Sequence, residues 1–184
     1  MAMVSASWIA NAPAPYLLAA IPDLMWLESS DDVSTYVNAL DRGMPIGPLG
    51  SYTWFVDQDI TDLSTAEKRA ALYEQGFSTG NGPYVDMRIN TVGPGGLIES
   101  DEASFTADIT VAGQQSMALR TLSIIGPNNV VFRELEIQES PAHYTIALPH
   151  QNWYAALVKG TLNPPFSQHK SWAITAPIWI RRSD

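Results

Sequence analysis

Residues 105–111 read Phe-Thr-Ala-Asp-Ile-Thr-Val and alternate apolar with polar side chains at every step. Because successive side chains of a β-strand point to opposite faces of its sheet, this period of two predicts a strand with one buried face. The predicted core side chains are Phe105, Ala107, Ile109 and Val111. This strand is the clearest single indication of the fold class.

The same alternation continues on both sides of this strand, from Tyr84 to the end of the chain. Further strands are predicted at residues 131–137, 144–148, 153–159 and 172–180, and glycine- and proline-rich turns separate them. Seven strands within about 100 residues predict a mostly β domain over residues 83–184, a seven-stranded immunoglobulin-like antiparallel β-sandwich. Pro177 cannot donate to a strand ladder, so we predict an edge or a bulge in the last strand.

The first part of the chain, residues 1–82, predicts a small α/β segment with two helices. Its predicted elements are strands at 24–28 and 44–49 and helices near residues 31–42 and 65–75. Ser64 and Glu67 form a capping box at the start of the second helix, where each side chain satisfies a free backbone amide. Gly76 fits the left-handed position after its end.

Composition limits the classes of partner. The 184 residues are 46% hydrophobic, carry a net charge of −9 and include no cysteine. An acidic surface repels nucleic-acid phosphates and anionic lipid, so we expect neither nucleic acid nor a membrane as a partner. The apolar stretch Tyr16–Ile21 is too short to span a bilayer, and no basic residue precedes it. We expect a soluble protein, with the cytoplasm favoured and the compartment left open.

Four motifs occur in a characteristic order. They are residues 38–51 (Asn-Ala-Leu-Asp-Arg-Gly-Met-Pro-Ile-Gly-Pro-Leu-Gly-Ser), the loop 76–83 with strand 85–89, the turn 93–95, and residues 173–180 (Ala-Ile-Thr-Ala-Pro-Ile-Trp-Ile). In this order and spacing the chain resembles the C-terminal part of PHP-superfamily metallohydrolases of the CehA/McbA-like branch, over roughly residues 20–181. The resemblance implies the end of a distorted barrel that holds metal ions, followed by an immunoglobulin-like sandwich.

The metal ligands that the resemblance would imply are missing. In the family the Gly-Ser pair continues as Asp-x-His, and that aspartate and histidine bind metal. Here Gly50 and Ser51 are followed by Tyr52, Thr53 and Trp54. A phenol and an indole do not replace a carboxylate and an imidazole on a divalent ion. We therefore expect no catalytic residue, no metal and no cofactor, in a chain that is either a truncated fragment or a remnant with another role.

Other polar clusters have simpler interpretations. The histidines His143, His150 and His169 lack the spacing of metal ligands and are interpreted as surface or loop residues. The aspartates within Asp57–Asp62 resemble part of a calcium loop, but the glycine and the final glutamate of such a loop are missing. No helix is predicted after Gly93–Gly96, so this segment is interpreted as a turn and not as a phosphate site.

Aromatic residues offer the one candidate binding site. The chain contains six tryptophans and seven tyrosines, and exposed aromatic rings on a β-sandwich can stack on sugar rings. Trp179 has the opposite phase to Ile178 and Ile180, so we predict that it is exposed. Trp179 and Tyr154 are the possible ligand-binding aromatics, whereas Trp153 and Trp172 are equally suited to fill the core.

Three functions follow from these observations. The first is a non-catalytic module with a structural or associative role, self-associating as a dimer because an incomplete barrel would leave apolar faces uncovered. The second is a β-sandwich that binds a small molecule or a glycan. The third is residual metal-dependent hydrolase activity as part of a larger assembly.

Overall fold

The computed structural model describes residues 82–113, 117–163 and 170–183, together with short strands from the earlier part of the chain. Its strands are β1 (Met3–Ser5), β2 (Leu24–Trp26), β3 (Gly47–Leu49), β4 (Tyr52–Phe55), β5 (Phe77–Gly80), β6 (Tyr84–Ile89), β7 (Leu97–Glu99), β8 (Ser104–Ala112), β9 (Met117–Gly126), β10 (Val130–Glu136), β11 (Ala142–Pro149), β12 (Trp153–Leu162), β13 (Lys170–Thr175) and β14 (Ile178–Arg181). A 3₁₀ turn at Pro127–Asn129 joins β9 to β10, and the described residues contain no α-helix. The fold is mostly β, as the sequence predicts.

The strand predicted at Phe105–Val111 is β8, the middle strand of a three-stranded antiparallel sheet. The order of this smaller sheet is β11-β8-β6. Ile109 of β8 lies opposite Met87 of β6 and Tyr144 of β11. Every second side chain of β8 from Phe105 to Val111 is buried, which confirms the prediction from the period of two.

The larger sheet has nine strands and is organised around β12. One edge of β12 pairs with β9, which pairs in turn with β10, and the other edge pairs with β13 and β14. From β13 the sheet continues through β5 and β4 to β1. From β14 it continues to β7, and this pairing is parallel. The expectation of antiparallel pairing throughout is wrong here, because the long connection between β7 and β14 does not impose the direction that a hairpin would.

The hydrophobic core lies between the two sheets. The smaller sheet contributes Val85, Met87, Ile89, Phe105, Ala107, Ile109, Val111, Ile146 and Leu148, and the larger sheet contributes Leu122, Ile124, Tyr154, Ala156, Val158, Ala173, Ile178 and Ile180. These side chains come from alternate positions on their strands, as a face-to-face packing of two sheets requires.

The larger sheet is also buried on its other face. Trp153, Ala155 and Leu157 alternate with the core residues of β12, and they are buried as well. Their neighbours on the adjacent strands, Ile125 and Ile174, are equally inaccessible. A strand that is apolar on both faces reads as a continuous hydrophobic run rather than an alternation. β9 is absent from the predicted strands for a different reason: Arg120 is an extra residue in its pairing with β12, so its core residues Leu119 and Leu122 lie three positions apart and break the period of two.

A bulge interrupts the last predicted strand. Leu157 pairs with Ile174, but Tyr154 pairs with Ile178, so the β13–β14 side holds one extra residue around Pro177. The backbone amide of Ala156 donates instead to the hydroxyl of Thr175, at 3.0 Å. This interruption confirms the predicted irregularity at Pro177 and divides one predicted strand in two. The structure has nine strands between Tyr84 and Arg181, against the predicted seven.

Both strands predicted in the first part of the chain are present in shorter form, as β2 and β3. They pair in parallel, with Met25 opposite Pro48. The two helices predicted near residues 31–42 and 65–75 lie outside the described residues. The predicted boundary at residue 82 stays a prediction, but β5, from before that boundary, pairs with β13 from after it.

Tyr154 is a core residue, which corrects its prediction as an exposed ligand-binding aromatic. Its side chain is fully buried, and its hydroxyl donates to the carbonyl oxygen of Pro149 at 2.7 Å. Phe132 packs edge-on against its ring, with the ring centroids 5.1 Å apart. Tyr154 has the same phase as Ala156 and Val158, so the strand directs all three toward the core.

Burial gives Tyr154 a role in alkaline stability. Desolvation raises the pKa of its phenol above the ordinary value of 10.0. Above pH 10 the unfolded chain loses this proton and the folded chain keeps it, so the contribution of Tyr154 to stability is constant below pH 10 and falls above it, by about 1.4 kcal/mol per pH unit. We expect urea unfolding to show a shallower loss of stability between pH 10 and 11 for Tyr154→Phe than for the wild type. Parallel slopes for the two proteins would contradict this assignment.

A substitution at Gly80 tests how closely β5 approaches β13 in the larger sheet. A Cβ atom at Gly80 would meet the carbonyl oxygen of Trp172 and the Cα of Ala173, at 2.7 Å for the latter. We therefore expect Gly80→Ala to lower the free energy of unfolding by about 1–3 kcal/mol, since rigid backbone must move. Gly93→Ala is the matched control because its Cβ would meet nothing within 4 Å. Equal melting temperatures for the two variants would show that β5 does not approach β13 this closely.

Candidate functional site

A surface cleft of about 750 Å³ lies where β14 meets the connection between β11 and β12. Its described lining consists of residues that carry an indole, two guanidinium groups, an imidazole, two amides and an aliphatic side chain, together with Ile180, whose side chain lies in the core: Trp179, Arg181, Arg182, His150, Gln151, Asn152, Leu97 and Ile180. Ligand sites are typically concave, with an apolar platform and a few polar groups that fix orientation. This cleft has that composition.

Trp179 lies in the cleft because of its phase on β14. Its neighbours Ile178 and Ile180 point into the core and are buried, whereas Trp179 is half-buried on the other face. Its backbone amide donates to the carbonyl of Gly96 at 2.9 Å, which ties β14 to the turn before β7. Leu97, opposite Trp179 in the parallel register, is 46% exposed. The two side chains form the apolar part of the cleft.

His150 is held in a defined tautomer. Its Nδ1 lies 2.9 Å from the carbonyl oxygen of Glu102, and its backbone amide donates to the carbonyl of Ala103. A carbonyl oxygen only accepts hydrogen bonds, so Nδ1 carries the proton. In the neutral ring Nε2 is then an acceptor, and the ring is steadied by Phe105, whose centroid is 5.6 Å away. His150 can therefore accept a hydrogen bond from a hydroxyl group in the cleft.

Two arginines supply positive charge at the end of β14. Arg181 has the same phase as Trp179, and its Nη1 lies 3.9 Å from a carboxylate oxygen of Glu99 on β7. Both side chains of this pair are mostly exposed, at 67% and 63%. Exposed pairs contribute only about 0–1 kcal/mol, so Glu99 does not hold Arg181 firmly. Arg182 follows at the end of the strand and is also exposed.

The remaining candidates from the sequence lie elsewhere. Trp153 and Trp172 are buried, and His143 is exposed on the smaller sheet, where its Nδ1 lies 3.0 Å from the hydroxyl of Thr110. Gly93–Gly96 forms the predicted turn, in which the amide of Gly96 donates to the carbonyl of Gly93. His169 and the aspartates of Asp57–Asp62 lie outside the described residues. No group of three or more potential metal ligands occurs in the part of the chain that the structure describes.

Sequence reasoning identified Trp179 but missed its neighbours in the cleft. The two arginines were visible as a basic pair at the end of an alternating strand, and the position of Arg181, two residues after Trp179, could have suggested a common face for that pair. His150, Gln151 and Asn152 gave no such signal, because they reach the cleft only through the pairing of β12 with β14. The amide of Ile180 donates to the carbonyl of Asn152 at 2.9 Å, and this contact brings the two segments together.

Comparison with known proteins identifies no family. No family model matches the chain, and no curated protein matches it. Among solved structures the chain is similar to a crystal structure of an engineered protein, with a TM-score of 0.32 and 16% sequence identity. That match covers 54% of this chain and 20% of the engineered one. Within the described residues no helix has the length and apolar character needed to cross a membrane.

Proposed function

We propose that this chain is a non-catalytic β-sandwich module that binds a carbohydrate in the Trp179 cleft. The observation that carries the proposal is the half-buried indole of Trp179 in a cleft with amide, imidazole and guanidinium groups around it. A sugar ring has apolar faces and a hydroxyl-rich rim. The faces suit an indole platform, and the rim suits groups that donate and accept hydrogen bonds.

The rigidity of the platform supports this proposal. Trp179 lies on a strand that is paired on both edges, with Trp153 of β12 and Leu97 of β7 as its neighbours. A side chain on a strand loses less freedom on binding than one on a loop, which lowers the cost of ordering the site. His150 is likewise held by two hydrogen bonds before any ligand arrives.

We also propose that the chain is related to the C-terminal part of PHP-type metallohydrolases, which its sequence resembles. The parallel pair β2–β3 has about twenty residues between its strands, enough for a crossover helix of the kind that α/β folds use. This pairing supports an α/β segment before the sandwich. We further propose that the sandwich is immunoglobulin-like. Tyr52 and Trp54 replace the two ligands of the family motif, which is why the proposed role is binding and not hydrolysis.

A second candidate function, self-association as a dimer, is favoured by the edge of the larger sheet. Among the described strands, β10 pairs only with β9. Val130 and Val131 of this edge strand are 44% and 50% exposed. An edge strand with exposed apolar side chains is a template for pairing with a second copy of the chain.

We expect Trp179→Ala to weaken glycan binding by about tenfold or more, since the stacking surface is removed. The measurement is isothermal titration calorimetry with the tightest glycan from a broad panel. Trp179→Phe is the matched variant: it keeps a ring and should keep most of the affinity, while losing the ligand-dependent tryptophan fluorescence change. A panel in which no glycan changes the fluorescence or the melting temperature of the wild type would disprove the proposal.

The dimer has its own test. We expect size-exclusion chromatography with light scattering to give a dimer mass for the wild type at micromolar concentration. The double substitution Val130→Lys and Val131→Lys should give a monomer, because buried lysines at the edge would oppose strand pairing. Leu97→Lys, at an exposed apolar residue away from β10, is the control and should stay dimeric. A monomeric wild type would rule out this role.

A further inference from the structure

We propose that the Trp179 cleft selects an acidic sugar, whose carboxylate binds the guanidinium groups of Arg181 and Arg182 while its ring stacks on Trp179. This inference rests on the proposed carbohydrate function and adds the charge of the ligand.

The charge of the cleft is opposite to that of the protein. The chain has a net charge of −9, yet the ionised side chains among the described lining residues are those of Arg181 and Arg182. Two of the chain's ten basic residues are therefore concentrated in one concave surface. A low-dielectric concave site strengthens such local charge relative to the surrounding surface. The cleft attracts anions although the molecule as a whole repels them.

The spacing of Trp179 and Arg181 fits a ring that carries an anionic substituent. The two residues are two positions apart on β14, so they lie on the same face about 7 Å apart along the strand. A sugar ring placed on the indole then presents its edge toward the guanidinium group. A guanidinium group binds a carboxylate through two parallel hydrogen bonds, which fixes the orientation of the ring as well as its charge.

Glu99 interacts only weakly with Arg181. The separation of 3.9 Å is long for a charge-assisted hydrogen bond, and both side chains are mostly exposed. A ligand carboxylate in the cleft can replace Glu99 without breaking a strong interaction. Displacement of Glu99 also favours an acidic sugar over an uncharged one, because only the acidic sugar supplies a carboxylate in place of that of Glu99.

The test compares one glycan in two charge states. Uronic-acid oligosaccharides and the same oligosaccharides after methyl esterification are titrated calorimetrically into the full chain, at low and high salt. We expect the acidic form to bind at least tenfold more tightly at low salt, and this preference to shrink as sodium chloride is raised, since screening weakens exposed charge interactions. Substituting Arg181→Gln or Arg182→Gln should weaken binding of the acidic form by about tenfold and change the esterified form little.

The control variant is Arg120→Gln, which removes the same charge at an exposed position of β9 outside the described lining of the cleft. It should leave both affinities unchanged. Equal binding of the two glycan forms, with a loss of both in Trp179→Ala, would overturn the charge inference and leave the carbohydrate function in place. Binding of neither form would overturn both. Preference for an acidic peptide over every acidic sugar would also overturn the inference.

Discussion

The structure depends on the burial of β12 on both of its faces. Tyr154, Ala156 and Val158 pack in the core between the two sheets, and Trp153, Ala155 and Leu157 are buried on the opposite side. Such a strand leaves no amide in contact with water, so its hydrogen bonds must be satisfied by neighbouring strands on both edges. The pairing of β12 with β9 on one edge and with β13 and β14 on the other follows from this requirement.

The cleft arises where that pairing is interrupted. The extra residue near Pro177 shifts the register of β14 against β12, and the carbonyl of Pro177 accepts a hydrogen bond from Gly95 at 2.7 Å. Gly95 has a φ of 79°, a conformation that glycine adopts at little cost. The turn at Gly93–Gly96 is thereby fixed against β14, and β7 can pair beside it in parallel. A bulge next to a functional surface is a common way to reorient a side chain, and here it sets the position of Trp179.

The chemistry of the cleft differs from that of the rest of the molecule. The core cluster between the sheets consists of apolar side chains and Tyr154, whose buried hydroxyl donates to the carbonyl oxygen of Pro149. At the cleft, by contrast, an indole face, an imidazole of defined tautomer and two guanidinium groups converge from β14 and from the connection before β12. This combination is the basis of the proposed recognition of a ligand by both its shape and its charge.

The sequence by itself determined the mostly β class, the strand at Phe105–Val111, the irregularity at Pro177 and the outward phase of Trp179. Each is a local property, because alternation and the missing amide of proline act within a few residues. The sequence did not reveal β9 or the burial of Tyr154. The extra residue Arg120 breaks the alternation of β9, and the burial of a side chain such as that of Tyr154 depends on what packs against it. Only the tertiary structure decided the parallel pairing of β7 and the meeting of His150 with Trp179, because both join segments that lie far apart along the chain.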